Sequence, residues 1–242
     1  MANLYLIRHG QAGTRDNYDS LSDLGRRQAR LLGEYFAAQG IEFTAAYCGT
    51  MSRQLQTAAE VSSAFARTTG SFPEINTNEC WNEFDLARVY REIAPHLGEA
   101  DSQFRHDYEE MLLRIKESAG NSEAPVHRRW WPCDTRMVEA WIGGKFPYSG
   151  ESWPQFCERV TSGIHSFNGD GGAANILIFT SATPVGVSTS LALDLRDQRA
   201  RQLAGVLFNT SYTLLRQRDQ QLLLFQFNAV PHLTTPELRT HR

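Results

Sequence analysis

A chain of 242 residues with a net charge of −3 has room for one large α/β domain, or for such a domain with an inserted cap, and for a substantial core. The near-balanced charge and the lack of long basic runs argue against nucleic acid as the main partner. No apolar stretch is long enough to span a membrane, and the amino-terminal apolar run is too short for a signal peptide, so no membrane partner is expected. Cys48, Cys80, Cys133 and Cys157 are scattered without a CxxC or CxxH pattern; this speaks against zinc and suits reduced thiols in a cytoplasmic chain.

Leu4 to Ile7 is an apolar run of strand length that stops at Arg8-His9-Gly10. Such a run reads as a buried parallel strand or as a piece of buried helix. Gly10 favours the strand, because it ends the run and lets backbone approach a ligand closely. Open α/β sheets place ligands at the carboxyl ends of their strands. Arg8 offers a planar fork of donors for phosphate, and His9 a nitrogen that can be neutral, and so nucleophilic, near neutral pH. The tripeptide alone is weak evidence. The polar loop from Ala12 to Ser20 follows; within it Arg15 and Asn17 carry donors suited to phosphate oxygens, and Gln11 stands at its entrance.

Ser22 is the expected N-cap of a helix to about Ala38, with Leu24, Gln28, Leu31, Leu32, Tyr35 and Phe36 near a 3.6-residue repeat and Gly40 as the stop. A strand at about Ala45 to Cys48 precedes a helix from about Arg53 to Phe65. An arginine in the first turn of a helix is unfavourable unless an anion sits there, which lifts Arg53 above an ordinary surface arginine. Pro73 to Thr77 reads as a short strand, with Glu79, Glu83 and Asp85 beyond its end; spacing alone does not choose among these acids.

From Leu86 to Phe146 the composition changes. A helical stripe within Asp101 to Ser118 is followed by a break at Gly120 to Pro125 and a short helix at about Thr135 to Ile142. The section is read as a helical cap over the site. Arg128-Arg129-Trp130-Trp131 within it either grips an anionic or aromatic substrate group or anchors the cap to its host, and the second is favoured. Further helices are expected from Ser152 to about Phe167, where His165 is a surface or packed residue, from about Pro184 to Leu193, and from Arg199 to Leu207. The glycine-rich loop from Asn168 to Ala174 fits no nucleotide fingerprint. Asn175 to Thr180 is a second buried strand, and Tyr212 to Arg216 with Leu222 to Phe227 an antiparallel hairpin. The expected fold is a three-layer α/β/α arrangement around a mostly parallel sheet, a single domain over 1–242 with 86–148 as the cap.

Several motifs in order resemble the histidine phosphatase superfamily, the phosphoglycerate mutase-like family: Arg8-His9-Gly10, Leu21 to Ala29, Ser52-Arg53 with Gln56-Thr57-Ala58, Asn82 to Asp85, Gly150-Glu151-Ser152, Asn209-Thr210-Ser211 and Pro231-His232-Leu233. The resemblance covers most of the chain but not about Leu86 to Tyr148. It implies that Arg8 and Arg53 bind phosphate, that His9 forms a phosphohistidine, and that Glu83 protonates the leaving oxygen, with no metal or other cofactor. Where the family carries Ser-His-Gly, this chain has Thr180-Ser181-Ala182. Ser181 then replaces a second histidine as a phosphate donor, Ala182 borders the pocket, and activity is expected to be low unless Arg15, Arg128 or Arg129 substitutes for the missing cation. The leading expectation is a phosphatase acting on a small phosphorylated substrate or a phosphoprotein. A non-catalytic binder of phosphorylated ligands is the alternative, a mutase ranks lower, and an incidental motif on a scaffold ranks last. Substrate identity and oligomeric state are not legible.

Overall fold

The computed structural model describes residues 1–14, 19–119, 121, 124–128, 130–167, 174–195, 197–218 and 221–241. These form two compact units: residues 1–13, 19–83 and 159–241, and residues 84–158.

The first unit is built on a six-stranded sheet. Its strands are β1 (Ala2–Arg8), β2 (Ala45–Cys48), β3 (Ile75–Thr77), β4 (Ala174–Thr180), β5 (Tyr212–Arg218) and β6 (Gln221–Ala229), in the order β3-β2-β4-β1-β5-β6. The first four in that order are parallel; β5 and β6 are antiparallel additions at one edge. β1 is buried on both faces, as a run without polar alternation requires. Tyr5 and Ile7 pack with Ala29, Leu32 and Phe36 of α1 (Asp23–Ala38) and with Ala58, Val61 and Phe65 of α2 (Ser52–Thr69). On the other face, Leu4 and Leu6 join Ile164 of α7 (Trp153–His165) and Val185 of α8 (Ala182–Ala192). Full burial of such a side chain is worth about 1.5–3 kcal/mol. The three-layer α/β/α reading is what the chain forms. No helix among the described residues is long and apolar enough to cross a membrane.

Local signals act where the sequence places them. The Ser22 hydroxyl accepts from Gly25 N at 3.0 Å and caps α1. Gly10 and Gly25 lie so close that a Cβ on Gly10 would stand 2.5 Å from the Gly25 carbonyl oxygen; these two glycines bring the start of α1 against the end of β1. α2 runs on to Thr69, closed by Gly70 in the left-handed region at φ 84°. α9 (Asp197–Gly205) also belongs to this unit.

The second unit is helical: α3 (Leu86–Ala100), α4 (Ser102–Glu117), α5 (Pro125–Arg128), α6 (Pro132–Gly143) and the opening turns of α7. Its core includes Val89, Ile93, Phe104, Met111, Met137 and Trp141, and Phe84 stacks on Trp141 at 4.3 Å. Buried Asp134 accepts from Tyr90 Oη and from Trp131 N, both at 2.7 Å, pinning α6 to α3. α3 has no counterpart in the sequence expectation. Pro95 within it removes a helical donor and masks the pattern, while Val89, Ile93 and Leu97 still bury one face. α6 starts three residues earlier than expected, because Pro132 suits a first helical position. Trp130 is half-exposed and donates to Thr135 Oγ1 at 2.9 Å; Trp131 is the N-cap residue of α6.

Candidate active site

β1 and β4 run parallel in register, with Arg8 opposite Thr180, so both strands end on the same edge of the sheet. The peptide of His9 is held from two sides: its N–H donates to Thr180 O at 2.9 Å, and Asn209 Nδ2 donates to its carbonyl at 3.2 Å. Arg8 is fixed in the same way, its N–H on Ser211 O at 3.1 Å and its carbonyl on Thr210 N at 3.0 Å. Its guanidinium donates to the carbonyl of Leu207. Thr210 sits at φ 55°, in the left-handed region, where a β-branched residue stores roughly 1–3 kcal/mol of strain. His232 Nε2 to Thr210 Oγ1 (2.9 Å) and Thr210 Oγ1 to Asn209 O (2.8 Å) hold it there.

The His9 ring is 2% exposed. Its Nδ1 lies 2.8 Å from Gly10 O, and its Nε2 lies 3.2 Å from Arg53 Nε. A carbonyl only accepts and a guanidinium only donates. The proton is therefore on Nδ1, and the Nε2 lone pair faces Arg53. Burial first, then the charges of Arg53 and Arg8, hold the His9 pKa well below 6.5.

Arg53 is 6% exposed, in the first turn of α2. Thr57, one turn on, accepts from Gly10 N at 3.0 Å and donates to Arg53 O at 2.7 Å, so one hydroxyl locks the helix start to the strand end. The anion that this helix start calls for is the side chain of Asp19. Its Oδ1 lies 2.9 Å from Arg53 Nη1 and its Oδ2 accepts from Ser52 N at 3.2 Å.

At the end of β4, Ser181 is fully buried. Its Oγ accepts from Gln54 Nε2 at 2.9 Å; the same amide donates to Trp81 O at 3.0 Å. Thr180 Oγ1 also donates to Trp81 O, at 2.6 Å. Two residues further on, Thr183 N donates to Glu83 Oε2 at 3.1 Å, which sets a carboxylate on the first turn of α8. Of the rival acids, Glu79 is exposed in a short 3-10 turn, and Asp85 caps α3 through Arg88 N.

The structure thus joins His9 to Arg53 directly, ties both to the end of β1 with Arg8, and places Ser181, Ala182 and Glu83 around the end of β4 and the start of α8. Gln11 turns toward α1, its Oε1 accepting from Ser22 Oγ at 2.8 Å and its N–H donating to Gln28. Arg15, Asn17 and Arg129 lie outside the described residues, and Arg128 ends α5 in the second unit. Asp19 and Gln54 were not singled out by the sequence. The signal for Asp19 was present, since an arginine at a helix start requires a nearby anion. Gln54 carried none beyond its place beside Arg53.

The model of the histidine phosphatase superfamily (branch 1) matches residues 4–143 and 122–230. The chain belongs to this superfamily. Among solved structures with the same fold are Bacillus stearothermophilus YhfR (18% identity, TM-score 0.62, covering 96% of this chain and 99% of that one) and the Entamoeba histolytica phosphoserine phosphatase mutant in complex with phosphoserine (16%, TM-score 0.58, 96% and 100%). A curated relative, the mitochondrial serine/threonine-protein phosphatase Pgam5 of Caenorhabditis elegans, is 33% identical over 103 residues. The match spans 38% of this chain and only 36% of that protein.

Proposed function

We propose that this protein hydrolyses phosphate monoesters by way of a phosphohistidine on His9. The observation that carries the reading is the state of the His9 ring. Nδ1–H is committed to Gly10 O, and a bare Nε2 is directed at a buried guanidinium. A phosphoryl group bound by Arg53 and Arg8 then meets a neutral nucleophile without prior deprotonation. The Nε2 pair forms the P–N bond as the P–O bond to the leaving alkoxide breaks. Glu83, protonated at that moment, gives its proton to the leaving oxygen. In the second half-reaction the carboxylate takes a proton from water, which attacks phosphorus and releases His9.

Ser181 contributes a neutral donor. Its oxygen already accepts from Gln54, so its own proton is the one available to a phosphate oxygen. A neutral donor stabilises a phosphoryl transition state less than a cation does, which makes the enzyme slow. The same feature favours the second reading, a binder of phosphorylated ligands with little turnover. The phosphoprotein phosphatase named among the relatives supports including a phosphoprotein, beside small phosphate esters, in the substrate class.

Rapid quench after mixing with an aryl phosphate, followed by analysis of acid-labile protein-bound phosphate, tests the reading. A phosphohistidine that is absent in His9→Ala is expected. Binding of inorganic phosphate with no trapped intermediate and no turnover would favour the binder instead.

A further inference from the structure

The anion seat at the start of α2 is filled by the chain itself. Asp19 Oδ1 lies on Arg53 Nη1 and Oδ2 on Ser52 N–H, while Arg53 Nε donates to the His9 lone pair. In this resting arrangement the guanidinium bonds a carboxylate through Nη1 and the nucleophile's lone pair through Nε, and a phosphoryl group seated at Nη1 competes with the carboxylate. We propose that Asp19 is an internal competitor of the substrate phosphoryl group: it holds Arg53 between turnovers and opposes phosphate binding there. The inference rests on the reading of Arg53 and His9 as the phosphate site.

The exposures decide which partner moves. The Asp19 side chain is 59% exposed and that of Arg53 is 7% exposed. The carboxylate regains full hydration by swinging outward, whereas the guanidinium is enclosed and its Nε is bonded to His9 Nε2. An ion pair with one well-hydrated member is weak, so a phosphate dianion can displace it. If instead the carboxylate stayed, its charge would oppose that dianion across a single guanidinium. Either way the seated carboxylate weakens phosphate binding, in proportion to the time it occupies the seat. Its use is selectivity: weakly held free anions are kept off, and an ester with further contacts of its own gets through.

Titration calorimetry with inorganic phosphate tests this on the full chain. Asp19→Asn keeps the shape and removes the charge; it is expected to bind phosphate about tenfold more tightly than the wild type, as is Asp19→Ala. Asp19→Glu should return most of the wild-type weakness. Melting temperatures establish that each variant is folded. Unchanged or weaker binding in folded Asp19→Asn and Asp19→Ala overturns the competitor role, even where Arg53→Ala abolishes binding and so supports the site. If Arg53→Ala binds phosphate as the wild type does, or neither the wild type nor the Asp19 variants bind it, the site reading fails and the competitor role falls with it.

Discussion

Two neighbouring strands end side by side on one edge of the sheet, and their ends are chemically opposite. The end of β1 carries an arginine and an imidazole, both buried, with Arg53 brought against them from α2. The end of β4 carries no formal charge: Ser181 is buried under the amide of Gln54, and a carboxylate arrives only at the next helical turn. Among the described residues, cationic charge in this site is therefore concentrated on one side. On the proposed mechanism, the β1 side attracts a phosphoryl group and attacks it, and the β4 side supplies neutral donors and a proton.

Removing the β1 side should have the largest effect. His9→Ala takes away the proposed nucleophile and is expected to lower kcat on an aryl phosphate by roughly four orders of magnitude or more. Arg53→Ala, which removes one preorganised donor, should cost about 10²–10³-fold in kcat/KM. Steady-state kinetics on folded variants order the two; an Arg53→Ala enzyme as active as the wild type would break the asymmetry.

The β4 side offers a sharper contrast. Ser181→His alone cannot restore a second imidazole, because Gln54 fills the adjacent space and the site is fully buried. Overpacking is expected to cost about 1–3 kcal/mol in denaturant unfolding. Ser181→His with Gln54→Ala should recover stability and raise kcat above the wild type. A single variant as stable as the wild type would mean that Gln54 does not fill that space.

The smallest effect expected at neutral pH concerns His232, behind the Asn209-Thr210 segment. Burial pushes its pKa down to about 3 from 6.5. The unfolded chain then takes up a proton below 6.5 that the folded chain refuses, so stability falls as pH falls between these values. At about 1.4 kcal/mol per unit the loss reaches roughly 4 kcal/mol near pH 3. His232→Gln should flatten the acid limb of a stability-against-pH curve; an unchanged limb would remove His232 as its cause.

Legibility in the sequence followed the range of the interactions. The β1 end, the Ser22 cap and the strand-turn-helix leading to Arg53 rest on residues close in the chain, and each was readable. The need for an anion at Arg53 was readable too, but its source was not, because Asp19 reaches it through tertiary packing across 34 positions. Gln54 lies 127 positions from Ser181, and nothing local marks the pair. α3 was hidden by Pro95. By spacing alone Glu83 stood among three acids; the family resemblance pointed to it, and its bond to Thr183 N sets it at the start of α8, apart from Glu79 and Asp85.

The proposed chemistry needs a His9 that rests neutral, with its proton on Nδ1 and its Nε2 lone pair directed at Arg53. Long-range 15N–1H spectra of the histidine rings, assigned with His9→Gln, read this directly. A protonated Nδ1, a bare Nε2 and no charging as the pH is lowered through 6.5 are expected. A proton on Nε2, or an imidazolium forming near 6.5, would contradict it.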